Sequence, residues 1–413
     1  MIGMRAPTVD INSLKIAIVH DWLVGYAGGE MVTEQILHMF PQADLFALVD
    51  FVPESNRGIL VGRTPKTSFI QKLPFARTKY RTYLPFLPYA TEQFDLSDYD
   101  LIISSNLAVT HGVLTSAEQL HLCYFNNTMI YAWDLYHHYL KVGGLTKGLR
   151  SLIAKAVMHY IRIWDASTAH RADKLIANSA YMGRRLMKQY GRESTVIFPP
   201  VDVERFSLHP DKEDYFIVVA RLVPFKRIDI VVDAFNRMPD RKLKIVGGGP
   251  DMETLSRRAG GNIEFVGQVP LDRVNDYVRL ARALIQPSVE PFGISVIEAQ
   301  ATGTPIIAYR GAASPEIVKE GKTGVFFNRR EPEALVDAVR EFEGVEADFD
   351  PRVLRAHAEE FSIQRFRERF MDFVKAEAER HFSGAVGTDE TRTLPVKRRW
   401  TSPELTAEDD GRE

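Results

Sequence analysis

Short apolar runs alternate with helix-length segments along most of this chain. "KIAIV" (15–19), "DLFALV" (44–49), "DLIIS" (100–104), "LHLCY" (120–124) and "DKLIA" (173–177) read as buried strands. The same rhythm restarts after about residue 212 with "YFIVVA" (215–220), "KLKIVG" (242–247), "IEFVG" (263–267), "ALIQP" (283–287) and "PIIAY" (305–309). Strands this short and apolar, separated by helices, belong to parallel sheets covered on both faces. Three prolines in "FPPVDVERFSLHP" (198–210) break the rhythm and mark a linker. The pattern predicts an α/β chain of two Rossmann-like domains, at residues 1–205 and 206–365. A helix with apolar positions at Phe366, Phe370 and Phe373 closes the structure at 366–383. Residues 384–413 are polar, charged and poor in apolar side chains, and read as a disordered tail.

Composition narrows the class. The formal net charge of −2 over 413 residues is not that of a dedicated nucleic-acid binder. The single cysteine, Cys123, allows no disulfide within the chain and fits a reducing compartment. "MIGMRAPTVDINSL" holds no apolar core of signal-peptide length, and the run Ile16–Val19 is far too short to span a bilayer. The expectation is a cytoplasmic protein whose membrane contact, where it has one, is peripheral. Two stretches depart from the balanced charge. Between Glu54 and Glu92 no acidic residue occurs, while Arg57, Arg63, Lys66, Lys72, Arg77, Lys79 and Arg81 alternate with aromatic residues. "LTKGLRSLIAKAVMHYIRIW" (145–164) is a second basic and apolar stretch at helical spacing. Each reads either as a solvated basic face over ordinary core or as a contact for anionic lipid.

The chemistry concentrates in "SVEPFGISVIEAQATGTP" (288–305). A strand ends there, "PFG" turns the chain, and a helix begins at Ile294. Ligands of open α/β sheets sit at the carboxyl ends of strands. The amides of Phe292, Gly293 and Ile294 are then unpaired donors suited to phosphate, with Gly293 permitting close approach. Glu290 and Glu298 repel phosphate but suit paired sugar hydroxyls. "VVARLVPFKR" places Arg221 and Lys226 just past the first strand of the second domain, a planar fork and a point charge for a diphosphate. Asp98-Tyr99-Asp100 matches D-x-D but precedes its strand, and no Cys/His cluster has zinc spacing, so no metal is expected.

These landmarks, "ARLVPFKR", "VGGGP", "FVGQVP", "SVEPFGISVIEAQATGTPIIA" and "GKTGVFF" in this order, resemble family 4 of the retaining glycosyltransferases. In the first domain, "HDWLVGYAGGE", "YDLIISSN" and "CYFNNTMIYAWDLY" look like its bacterial polysaccharide branch, often linked to mannosyl transfer. The resemblance spans residues 15 to about 375. It implies the GT-B arrangement, two Rossmann-like domains facing a central cleft. It also implies a nucleotide-sugar donor, GDP-mannose favoured over UDP-glucose, a lipid-linked saccharide acceptor and no cofactor or metal. Arg221 and Lys226 would hold the diphosphate, Glu298 the ribose and Glu290 the donor sugar, with the amides of Phe292, Gly293 and Ile294. Gly267–Pro270 would border the base, and Gly28 and Gly29 would face the reacting phosphate.

The chain departs from that pattern at one point. Relatives typically carry His-Thr-Pro where Asn126-Asn127-Thr128 stands, and Ile130 replaces a usual Arg. Asn126 donates and accepts hydrogen bonds but cannot shuttle a proton. His111, where relatives usually have Lys, is a candidate for the missing polarity, and His20-Asp21 a weaker one. The leaving phosphate is thought to act as the base in this family, so positioning and charge stabilisation carry the catalysis. The rival reading is a non-catalytic homologue that binds nucleotide-sugar.

Overall fold

The computed structural model describes residues 9–384. The expected disordered tail lies outside them apart from Gly384, which ends the last helix, as do residues 1–8.

Two wholly parallel sheets form. The first contains β1 (Ile16–Leu23), β2 (Asp44–Asp50), β3 (Lys66–Thr67), β4 (Leu101–Asn106), β5 (Leu120–Phe125), β6 (Lys174–Ala177) and β7 (Thr195–Val196). Their order is β3-β2-β1-β4-β5-β6-β7. The second contains β8 (Phe216–Val219), β9 (Leu243–Val246), β10 (Ile263–Gly267), β11 (Leu284–Gln286), β12 (Ile306–Tyr309) and β13 (Gly324–Phe327), in the order β10-β9-β8-β11-β12-β13. Both orders reverse direction once, between β1 and β4 and between β8 and β11. Such switch points open a crevice at the carboxyl ends of the strands.

The strand β1 runs past the apolar "KIAIV" through His20, Asp21 and Trp22. The polar pair is held internally, although His20 Nε2 finds no hydrogen-bond partner among the described residues. His20 Nδ1 meets Thr33 Oγ1 at 2.9 Å, and the Asp21 carboxylate accepts the amides of Leu107, Ala108 and Val109. Neither residue is exposed, so this pair braces the loop after β4 and does not face the cleft.

The last helix, Ile363–Gly384, returns from the second sheet to the first. Phe366, Phe370, Val374 and Ala378 recur every four residues and fill the core under β1, β4 and β5. Phe373, expected in that stripe, is only partly buried at its edge. Where the helix begins, Ser362 bridges to Val201, so the two crossings between the domains lie side by side.

Candidate active site

Two cavities meet at Glu290. The first, of 270 Å³, is lined from the first domain by Gly28, Gly29, Leu107, Asn126 and Asn178, and from the second by Glu290, Phe292, Gly293 and Ile294. The second, of 490 Å³, shares Asn127, Glu290 and Pro291 with it and adds Lys226, Arg227 and Arg330 opposite Asp134, Tyr181 and Arg185. Both lie at the carboxyl ends of the strands.

The first cavity is bounded by two helix starts. The helix Gly28–Met39 follows β1, and the helix Ile294–Ala301 follows β11. Gly293 caps the second at φ 114°, a left-handed conformation that strains other residues, and an added Cβ would press on Ile317 at 3.1 Å. A Cβ on Gly28 would stand 2.8 Å from Ile294 Cδ1, so the two domains touch at these helix starts. The amides of Phe292, Gly293 and Ile294 find no acceptor among the described residues. They add to the positive potential of the helix ends, which favours an anion between them.

Glu290 and Lys226 form an ion pair of 2.6 Å, both side chains mostly buried. The same carboxylate oxygen accepts from Gln286 Nε2 at 2.7 Å and Ser288 Oγ at 2.6 Å. Burial alone would raise the Glu290 carboxyl, but the Lys226 ammonium and these hydrogen bonds hold it below its usual range. Glu290 is therefore a fixed anion whose charge Lys226 balances, and it keeps its second oxygen open toward the cavities. Glu298 is the opposite case. It is half-buried on the second turn of its helix, and its carboxylate has no hydrogen bond or ion pair among the described residues. Burial pushes it up to about 7, against the opposing charge of Arg205. A pair of hydroxyl donors is what such a group lacks.

Asn126 follows β5 and lines the first cavity. Its side-chain Nδ2 donates to Ser105 Oγ at 2.9 Å, and its backbone carbonyl accepts from Asn178 Nδ2 at 2.9 Å. The loop after it is held by Arg185, which donates to Asn127, Thr128 and Asp134. Gly267 ends β10 at φ 81° with its carbonyl accepting from Gly247, and lines neither cavity. Arg221 is exposed past β8 and also lines neither.

His111 does not reach the cleft. It is fully buried, packed against Phe125, Trp164 and Tyr190, with Nδ1 near Asn106 Oδ1 at 3.1 Å and Nε2 near the Asp165 carbonyl at 3.3 Å. Burial lowers it to about 4, so it is neutral at physiological pH. Its place is the interior of the first domain. The sequence reading also missed residues that join the domains. Ser179 Oγ donates to the Pro291 carbonyl at 2.5 Å, and the Glu316 carboxylate accepts the amides of Ala180 and Tyr181 at 2.6 and 2.8 Å. Asn178-Ser179, at a strand end with a good capping residue, was the available signal. Glu316 gave none. Among the described residues no three His, Cys, Asp or Glu side chains gather as a metal-holding group.

Two facing parallel α/β domains with an anion-ready cleft at both switch points define the GT-B architecture. Two family models match in tandem, Glycosyltransferase Family 4 over residues 46–205 and Glycosyl transferases group 1 over residues 202–350. Both domains thus match glycosyltransferase models, the first of them the family 4 type. It is 31% identical over 232 residues to a GDP-mannose-dependent alpha-(1-6)-phosphatidylinositol monomannoside mannosyltransferase of Mycolicibacterium smegmatis, covering 46% of this chain and 60% of that one. It is 31% identical over 202 residues to D-inositol 3-phosphate glycosyltransferase 2 of Catenulispora acidiphila, covering 41% and 47%. The matches thus span about half of the length of these curated relatives. Anabaena HepE, solved in complex with UDP, has the same fold, with a TM-score of 0.64 at 14% identity, 88% of this chain covered and 100% of that one. Sucrose-phosphate synthase from Thermosynechococcus elongatus gives a TM-score of 0.66 at 16% identity, covering 88% and 99%.

Proposed function

We propose that the protein transfers a hexose, mannose favoured, from a nucleoside diphosphate sugar to a lipid-linked saccharide, with retention and without a metal. The observation that carries this reading is the cavity in which Lys226-paired Glu290 and the Gly293 helix start face Gly28 and Asn126 of the other domain. The diphosphate lies against the open amides of Gly293 and Ile294, with Lys226 as its cation. The ribose satisfies Glu298. The open oxygen of Glu290 takes hydroxyls of the donor sugar. The anomeric carbon–phosphate bond breaks as the acceptor oxygen bonds on the same face, and the acceptor's proton passes to the leaving phosphate. Asn126 orients the sugar from the far wall. Mannose is favoured by the mycobacterial relative, whose name specifies GDP-mannose.

The lipid-linked acceptor draws on a surface feature. Phe75, Phe86 and Tyr89 are exposed beside Lys72, Arg77 and Lys79, and Leu149, Leu152 and Ile163 are exposed on the helix Leu149–Thr168 beside Arg150 and Lys155. Apolar side chains this prominent, flanked by cations, suit the surface of an anionic bilayer on the cytoplasmic side. Among the described residues no helix is long and apolar enough to cross a membrane.

A second reading, binding without transfer, draws on Asn126, which cannot shuttle a proton. Transfer assays with GDP-mannose and UDP-glucose, scored for product anomer, separate the two. Asn126→Ala is expected to lower turnover roughly a hundredfold with nucleotide affinity unchanged, as for loss of one donor at a reacting centre. No transfer by the parent with any donor, together with transfer by Asn126→His, sinks the catalytic reading.

A further inference from the structure

A separate cavity of 220 Å³ opens in the first domain. Trp22, Leu84, Leu87, Tyr131, Tyr139 and Met158 give it an apolar wall, and Arg81 stands among them. It shares no lining residue with the two cleft cavities.

Three observations point to its occupant. Arg81 is exposed and makes no hydrogen bond or ion pair among the described residues. Its guanidinium lies over the rings of Tyr80 at 4.7 Å and Trp22 at 5.7 Å. A free, planar cation at the edge of an apolar slot fits an anionic group attached to a hydrocarbon. Next, the slot lies between the two exposed apolar and basic segments. Leu84 and Leu87 belong to the turns that expose Phe86 and Tyr89. Tyr139 belongs to the helix Tyr136–Val142, and Met158 to the helix that exposes Leu152 and Ile163. The inner end points to the chemistry. Trp22 lies near the carboxyl end of β1, and the Arg81 charge acts on Glu30, in the first turn of the helix whose Gly28 and Gly29 line the cleft.

We propose that this slot holds the head-proximal stretch of the hydrocarbon chain of a lipid phosphate, with Arg81 on the phosphate. The proposal rests on the lipid-linked acceptor reading and names the part of the protein that grips the lipid. The chain enters from the exposed apolar surface, the phosphate stops at Arg81, and the saccharide beyond it reaches the cleft at Gly28. The slot is distinct from bilayer docking, which uses the side chains outside it.

Calorimetry on the full chain tests this with farnesyl phosphate, dodecyl phosphate, farnesol and inorganic phosphate. Farnesyl phosphate is expected to bind saturably, and at least tenfold more tightly than inorganic phosphate. Met158→Trp, which fills the slot, is expected to weaken it at least tenfold, and so is Leu84→Gln, a smaller change to the same wall. Arg81→Gln is expected to weaken farnesyl phosphate about tenfold and leave farnesol unchanged. Preference for farnesyl over dodecyl phosphate assigns an isoprenoid, the reverse an acyl chain, and both support the slot. Equal binding of farnesyl phosphate by the parent, Met158→Trp and Leu84→Gln overturns it. Unchanged KM for a lipid-linked acceptor in those variants overturns it too, while leaving the transferase reading intact. Saturable, Met158-dependent farnesyl phosphate binding by a parent that transfers no sugar does the opposite.

Discussion

Glu298 is the residue whose chemistry is most exposed to a simple test. Its carboxyl stands at about 7 because burial disfavours the charge and no partner restores it. A raised carboxyl favours the fold in its neutral form, a contribution present below the ordinary carboxylate pKa and lost as pH rises through about 7. Ribose hydroxyls reverse the preference, since only the ionised group accepts from both. Affinity for a nucleoside diphosphate sugar, which has no phosphate proton to lose in this range, is therefore expected to rise between pH 6 and pH 8, by roughly three- to tenfold. Glu298→Gln is expected to bind more weakly and with a flat profile. A flat profile in the parent, measured by calorimetry, removes Glu298 from the ribose. This residue was legible in the sequence, as were Glu290, Gly293 and Lys226, because each sits within a few residues of a strand end or helix start. His111 was not. Whether a residue in a short turn points into the cleft or the core depends on what packs there, and Trp164 and Tyr190 come from distant parts of the chain.

At the level of elements, the apolar runs marked the longer strands, since a strand buried on both faces cannot carry many polar side chains. The two-residue strands β3 and β7 have no such run: all four of their residues are exposed, and they pair only because a sheet edge is present. The close approach of two helix starts was equally hidden, because it joins positions 28 and 294. It yields a prediction. Gly28→Val puts branched carbon where Ile294 Cδ1 already stands, and so holds the helix starts apart. Sugar transfer is expected to fall at least tenfold while nucleotide affinity, held by the second domain, stays near the parent's. Adding Ile294→Ala to the same chain makes room and is expected to restore a large part of the rate. Absence of any rescue, in steady-state kinetics, places the defect elsewhere.

For the molecule as a whole, the cleft is held shut by few bonds. Glu316 reaches from the second domain to the amides of Ala180 and Tyr181, and Ser179 ties the same helix start to Pro291. Glu316→Ala removes a carboxylate from two backbone donors at a helix start, a contact worth about 1–3 kcal/mol. The variant is expected to populate an open form, seen as a larger radius of gyration in small-angle scattering, with KM for donor raised and the melting point of each domain nearly unchanged. An unchanged radius in both proteins removes Glu316 as a latch. The helix Ile363–Gly384 has a consequence of another kind. Its Phe366, Phe370, Val374 and Ala378 complete the core of the first domain, although they are translated after the whole second sheet. On the ribosome, the half of the protein that is synthesised first must wait for the helix Ile363–Gly384 to emerge, and the half synthesised later closes its own core before it.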